Sequence, residues 1–332
     1  VAPVAGTGPS AADLLRSAEI DLPAETIYSG VYGDLQLNRP RGIAVDEAGN
    51  RYIADTLNHR IVVLDPAGNE QVTFGSFCDI AQGEASGCVD PDGDGLLQLG
   101  DGQFNEPWGV AVDRAGEMIF VADTWNHRIQ VFDRDGNLLR KWGYFDGVPE
   151  VPGDPYALYG PRGLAVDLAG NLLVADTGNK RIVRYTPTGE GLEQIGGGGV
   201  IAGRFEEPTG VGVDPRNGDV FVADNWNRRI QKLTSDLQFI EEWLVPSWET
   251  QQRDDKPGSA VDAEGRVYST DPTMYRVLVY GPDGEIAATL GTYGSEPNQL
   301  ALPNGIAVDW ATGQALAADA DNNRVVAYPA LP

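Results

Sequence analysis

The chain has 332 residues, of which 42% are hydrophobic, with 42 Gly, 22 Pro and a formal net charge of −25. That composition fits one large globular domain and excludes a disordered or fibrous chain. The acidic balance argues against nucleic-acid binding, which rests on Lys and Arg neutralising phosphates, and against docking onto anionic membranes; it favours cations and basic partners.

No run of about 18 apolar residues occurs, so no segment reads as a bilayer-spanning helix. Residues 1–24 read as an extension: in "SAADLLRSAEI" Ser10 is followed three residues on by Asp13, a capping-box-like start for one short helix. The first residue is Val1, which points to a processed chain or an excised piece of a larger, membrane-anchored parent. From residue 25 onward the chain reads as one repeat domain. "ADTLNHRIVVL" from 54 recurs as "ADTWNHRIQVF" from 122, "ADTGNKRIVRY" from 175, "ADNWNRRIQKL" from 223, "TDPTMYRVLVY" from 270 and "ADADNNRVVAY" from 318. Each copy follows a Pro-Gly lead-in and a short apolar run, from "RPRGIAVD" to "LPNGIAVD". One Asp and one Arg keep the same spacing throughout: Asp55 and Arg60, Asp123 and Arg128, Asp176 and Arg181, Asp224 and Arg229, Asp271 and Arg276, Asp319 and Arg324. The arginines lie 68, 53, 48, 47 and 48 residues apart, a unit of about 45 residues lengthened by insertions, which marks a propeller or similar array.

Inside unit two, "GVAVD", "MIFVAD", "RIQVFD" and "LLRKWG" are β-rich runs separated by turn residues, so each unit supplies one four-stranded blade. The prediction is an all-β, six-bladed β-propeller of antiparallel blades. The lead-in glycines Gly42, Gly109, Gly163, Gly210, Gly258 and Gly305 fall where inner strands crowd the axis. Unit six stops at "VVAYPALP" after three strands, while "ETIYSGVYG" at 25–33 resembles the fourth strand of other units, so the N-terminal strand should close the last blade. The recurring Asp and Arg suit a charge-assisted hydrogen bond tying one blade's turn to the next.

In the insertion at 75–106, Cys78 and Cys88 are the only cysteines, and a disulfide is the better reading of them than a metal site; it would place the domain outside the cytoplasm, extracellular, periplasmic or at the cell surface. In "DPDGDGLLQLGD", Asp90, Asp92 and Asp94 alternate, Gly95 is sixth, Leu96 seventh, Gln98 ninth and Asp101 twelfth, the spacing of an EF-hand calcium loop. Calcium is therefore the one cofactor expected, in a structural role. The closing Asp is shorter than the usual Glu, and no helix pair flanks the loop.

His59 and His127 occupy equivalent repeat positions, where other units carry Lys180, Arg228, Tyr275 and Asn323, so a shared catalytic role does not fit and a structural or surface-contact role does. Turns after the second strand and connections between blades emerge on one face. Trp108, Trp125, Trp226, Arg41, Arg162, His59 and His127 are the candidate binding residues there, because aromatics dominate contact energetics.

On the "NHR" of units one and two, residues 25–332 resemble the NHL family of six-bladed propellers. Unit five departs most, with Met274 and Tyr275 in place of Asn and His. The resemblance implies a non-catalytic binding or scaffold module, monomeric, engaging a protein or glycan through its loop-rich face. The alternative is a propeller enzyme, a lyase or lactonase-like hydrolase with an axial metal. Two repeat-equivalent histidines cannot supply the several zinc-binding histidines of similar amidating lyases, and no residue set matches the Glu and Asn calcium site of gluconolactonase-like enzymes. No catalytic residues are assigned, and whether the chain is an enzyme stays open at this stage.

Overall fold

A computed structural model describes residues 25–29, 36–90, 98–148, 150–248 and 254–332, with backbone alone for 25–29. The candidate helix at Ser10 to Asp13 lies outside the described residues.

Each repeat becomes one antiparallel sheet because its apolar runs are too short for helices and are punctuated by Gly, Asn and Asp turns. Six four-stranded sheets result, and the described residues contain no α-helix. The innermost strands are Gly42–Val45, Pro107–Val112, Pro161–Val166, Pro208–Val213, Ser259–Val261 and Pro303–Val308. The predicted closure is present: Glu25–Ser29 pairs antiparallel with Arg324–Tyr328 and completes the sixth sheet.

The core is divided into wedges between neighbouring sheets. Second strands such as Met118–Asp123 are buried along almost their whole length, since both faces of the sheet meet another blade. Between blades two and three, Phe120, Ile129 and Val131 pack on Leu172, Val174, Val183 and Tyr185. Between blades six and one, Ile53, Val62 and Leu64 meet Leu316, Ala318 and Val325, so the ring closes by the same chemistry that builds it.

At the axis the lead-in glycines permit the approach of successive inner strands. A Cβ on Gly109 would lie 1.9 Å from the Arg162 carbonyl oxygen, and one on Gly305 would lie 2.2 Å from that of Arg41. Any side chain at these points would force the blades apart.

Four connections between blades are pinned by short pairings among the described residues. Tyr144–Phe145 pairs in parallel with Ala157–Leu158, Thr292–Tyr293 with Gln299–Leu300, and single bridges join Phe77 to Phe104 and Gly198 to Phe205. Each seats one fully buried apolar side chain, Phe104, Leu158, Phe205 or Leu300, under the connection.

The Asp–Arg pairs form in all six blades, but inside the blade and not between blades, which corrects the expectation from sequence. Asp and Arg face each other across the turn joining the second and third strands, as in Asp123 opposite Arg128. Arg128 Nε donates to Asp123 Oδ2 at 2.7 Å, and its Nη2 donates to the Gly100 and Gln103 carbonyls at 2.6 and 3.0 Å. Arg324 does the same with Ser295, Glu296 and Gln299. The guanidinium thus fastens the connection arriving from the preceding blade.

Two other residues make the links to the following blade. The Thr of "ADT" donates to the carbonyl of the next lead-in proline: Thr56 to Pro107, Thr124 to Pro161 and Thr177 to Pro208, at 2.7 to 2.8 Å. The second link is made by the variable repeat position, described with the site below.

Candidate functional site

The turns and connections converge on one end of the axis, here called the upper face. Its centre is the upper mouth of the axial channel, lined by the lead-in residues Arg41, Trp108, Arg162, Thr209, Lys256 and Asn304. The mouth encloses about 70 Å³. Below it the channel widens to about 340 Å³ between Val, Ile and Ala side chains and opens at the opposite face among Asp46, Asp167, Asp309, Arg114 and Trp310.

Trp108 holds the mouth together. Its ring lies 3.9 Å from the guanidinium carbon of Arg41 and 4.5 Å from that of Arg162, so two cations flank one indole. Arg162 also stands 5.7 Å from Trp125, whose Nε1 donates to Glu106 at 3.0 Å. Such stacking offsets part of the cost of holding guanidinium groups away from water. Arg41 is 4% exposed, and its Nη2 donates to Asp254 at 2.6 Å. Burial pushes the Arg41 guanidinium below its ordinary value, against the pull of Asp254.

Lys256 comes from the shortened lead-in of blade five and is buried beside Glu207, with Nζ to Oε2 at 2.8 Å. Burial lowers the Lys256 ammonium from its usual range, and Glu207 opposes that shift. Glu207 also accepts from Asn225 at 3.0 Å, and Asn304 Nδ2 donates to the Asp254 carbonyl at 2.7 Å. Sequence reasoning passed over Lys256 and Asp254, because unit five lacks the Pro-x-Gly spacing that marks the other lead-ins, and over Glu207, the residue before the lead-in proline of unit four. The legible signal was the "DKPG" itself, which puts a Lys where its neighbours carry Pro.

The histidines do not line the mouth. His59 Nδ1 accepts the Glu106 N–H at 3.1 Å, and His127 Nδ1 accepts the Gly160 N–H at 3.0 Å. In blade six Asn323 Oδ1 accepts the Arg39 N–H at 2.8 Å, which is the equivalent link across the ring closure. All six residues at this position, from His59 to Asn323, adopt positive φ of 52° to 57°. The position therefore needs a left-handed backbone in every blade; in blades one, two and six its side chain also supplies an acceptor, so His and Asn exchange there, while in blade three Lys180 donates to Glu206. His127 is packed 4.5 Å from Phe145 and 5.8 Å from Tyr159, and burial pushes it down to about 4. His59 lies 4.6 Å from Phe77 and is lowered for the same reason. Both are neutral near pH 7, as acceptors must be.

Around this centre the upper face exposes large apolar side chains: Phe77, Tyr144, Phe145, Tyr159, Trp226 and Tyr293 are each more than 40% accessible. Trp248 is 2% exposed and packs in the core between blades four and five.

Cys78 and Cys88 form a disulfide, packed with Leu99. Of the candidate calcium ligands, Asp92, Asp94 and Leu96 lie outside the described residues. Asp101 pairs with Lys141, Gln98 is exposed, and Asp90 is half-buried. Among the described residues no group of three His, Cys, Asp or Glu side chains is placed to hold a metal ion.

Residues 37–64, 104–132, 158–185 and 205–233 match the NHL repeat. Four of the propeller's six blades are NHL repeats. The four matches cover blades one to four, and blades five and six, whose turns carry Met274 with Tyr275 and Ala320 with Asn323 at the repeat positions, complete the ring in the structure. NHL repeat-containing protein 2 of Bos taurus is 30% identical over 136 residues, which are 41% of this chain and 17% of that protein. Protein brain tumor of Drosophila melanogaster is 28% identical over 176 residues, 51% of this chain and 14% of the relative. The chain thus spans less than a fifth of the length of these longer relatives. A gluconolactonase of Xanthomonas campestris superposes with a TM-score of 0.63 at 16% identity, covering 98% of this chain and 95% of the other. A chain of the nidogen/laminin complex gives a TM-score of 0.53 at 18% identity over 82% and 86%. At such identities these structures share the fold.

Proposed function

We propose that this NHL propeller is a binding module that recognises a protein through its upper face, with residues 75–106 forming a calcium- and disulfide-ordered flank of that surface outside the cytoplasm. The observation that carries the reading is the placement of exposed aromatics around a rigid cationic and indole centre. Aromatic and arginine side chains are the usual anchors of protein interfaces, and a patch of them on pinned connections loses little entropy on binding. The fold of the chain in the nidogen/laminin complex is consistent with a propeller placed in a protein assembly. The calcium part rests on the spacing of Asp90, Asp92, Asp94, Leu96, Gln98 and Asp101, and for Asp101 to close the coordination shell its pairing with Lys141 would have to be exchanged or shared. A glycan is the second ligand class such aromatics can stack against.

The test is selection of a phage-displayed 12-residue peptide library against the propeller, followed by titration of the selected peptides against variants. Phe145→Ser and Trp226→Ser on the upper face should weaken binding at least tenfold, and Trp310→Ser on the opposite face should leave it unchanged. Equal loss on both faces, or loss confined to Trp310→Ser, would remove the upper face from consideration.

A further inference from the structure

We infer that the upper mouth of the axial channel is a carboxylate-binding site, built by Arg41, Trp108 and Asn304 and bounded by Arg162 and Lys256. The chain as a whole carries −25, yet four cations, Arg39, Arg41, Arg162 and Lys256, gather on this mouth or its rim. Arg39 and Arg41 are paired with Asp254 and Lys256 with Glu207, so the rim carries mixed charge, and what points to a ligand is its unmet donors.

Within the mouth, hydrogen-bonding capacity is left over. Arg41 uses Nη2 on Asp254, while its Nε and Nη1 are buried with no hydrogen-bond partner among the described residues. Trp108 Nε1, on a residue 5% exposed, is in the same condition. Two N–H groups of a buried guanidinium and one indole N–H form a donor set with a net appetite for oxygen acceptors. Leaving a buried donor unmet costs about 1–3 kcal/mol, and more when it is charged. Asn304 Oδ1 and Ser259 Oγ, both buried with no hydrogen-bond partner among the described residues, line the same space and can accept a hydrogen bond from a neighbouring hydroxyl, amide or water.

Size and charge narrow the ligand class. About 70 Å³ admits a planar carboxylate with one or two waters, and excludes a sugar ring. Asp254 and Glu207 stand at the same mouth, so a dianionic phosphate would meet fixed negative charge that a single carboxylate meets less. A carboxylate here is either a free small acid or the Asp, Glu or C-terminal group of a partner chain. Recognition of small acids by this mouth does not depend on the aromatic rim being a protein interface, so the two readings fail separately.

The experiment is saturation-transfer NMR of acetate with the intact chain at constant ionic strength, chloride replaced by acetate. Saturable transfer is expected. Arg41→Lys keeps the charge beside Asp254 but removes both unmet N–H groups, and it should weaken acetate at least tenfold; Arg41→Gln should weaken it further. Calorimetry on each variant verifies folding, and the Lys variant protects against loss of fold in the Gln variant. The peptide Ac-Gly-Gly-Asp-Gly-Gly-NH2, with its Asn counterpart as control, separates sources: tenfold tighter binding than acetate assigns the site to an acidic side chain, and parity with acetate assigns it to free acids. No saturable transfer, equal binding by wild type and Arg41→Lys, or tighter binding of inorganic phosphate than of acetate would overturn the inference.

Discussion

Replacing Asp123 by Ala should unfold the domain at a measurably lower temperature, and the size of the shift follows from what the carboxylate holds. Asp123 is inaccessible to solvent and accepts from the Asn105 N–H at 2.7 Å, Asn126 Nδ2 at 3.0 Å, Arg128 Nε at 2.7 Å and Gln130 Nε2 at 3.1 Å. Arg128 is itself only 4% exposed, so the substitution strands a buried guanidinium. Removing one partner of a buried pair costs about 3–5 kcal/mol, since the remaining charge keeps its desolvation penalty. An unfolding entropy of about 2.1 cal/mol/K per residue over 332 residues gives about 0.7 kcal/mol/K, so the expected loss is about 4–7 °C. Differential scanning calorimetry measures it, with Asp133→Ala, on an exposed hairpin turn of the same blade, as the control. A shift for Asp123→Ala no larger than for Asp133→Ala would refute the view that these pairs hold the connections onto the blades.

His127 has a folded value near 4, below its ordinary 6.5, so between those values the unfolded chain binds more protons and stability falls as pH is lowered. His127→Asn keeps an acceptor for the Gly160 N–H, as Asn323 does for Arg39, and should flatten the decline of the thermal midpoint between pH 6.5 and 4 relative to wild type; an unchanged slope would contradict the assignment. Thr124→Val removes the donor to the Pro161 carbonyl and should cost about 1–3 kcal/mol in chemical denaturation, with no change in the slope against denaturant. Replacing both Cys78 and Cys88 by Ser should cost about 2.7 kcal/mol on the chain-entropy view of a ten-residue separation, seen as a lower denaturation midpoint. Calcium at millimolar concentration should raise the thermal midpoint, and Asp92→Asn should abolish the rise; a midpoint indifferent to calcium and to chelator would remove the ion from the loop.

Much of the architecture was legible because each repeat carries its own punctuation. The lead-in glycines marked the close inner strands, and the unfinished sixth unit announced that the N-terminal strand would complete it. The Asp to Arg spacing correctly marked a partnership but misled on its reach. Five residues across a tight turn places the two side chains opposite each other within one hairpin, and only the tertiary structure shows the other guanidinium nitrogens turning to the preceding connection. The Thr hydroxyl links were hidden because a hydroxyl in a turn has many local partners. Tryptophans illustrate the other limit: Trp108, Trp226 and Trp248 all sit near turns, yet one is clamped between arginines, one is exposed and one is core, a division decided by neighbours far away in sequence. Lys256 escaped notice because blade five breaks the repeat, and a break in a pattern is where a site can differ from the scaffold.

Recognition through the upper face is tested most directly by hydrogen–deuterium exchange of the propeller with and without a peptide selected against it. Protection should concentrate in the lead-ins at 38–41, 105–108 and 254–258 and in the connection at 143–160, with the hairpin turns of the opposite face unchanged. Protection centred on the turns near Asp46, Asp167 and Trp310, with the lead-ins unaffected, would place recognition at the wrong end of the channel and contradict the reading.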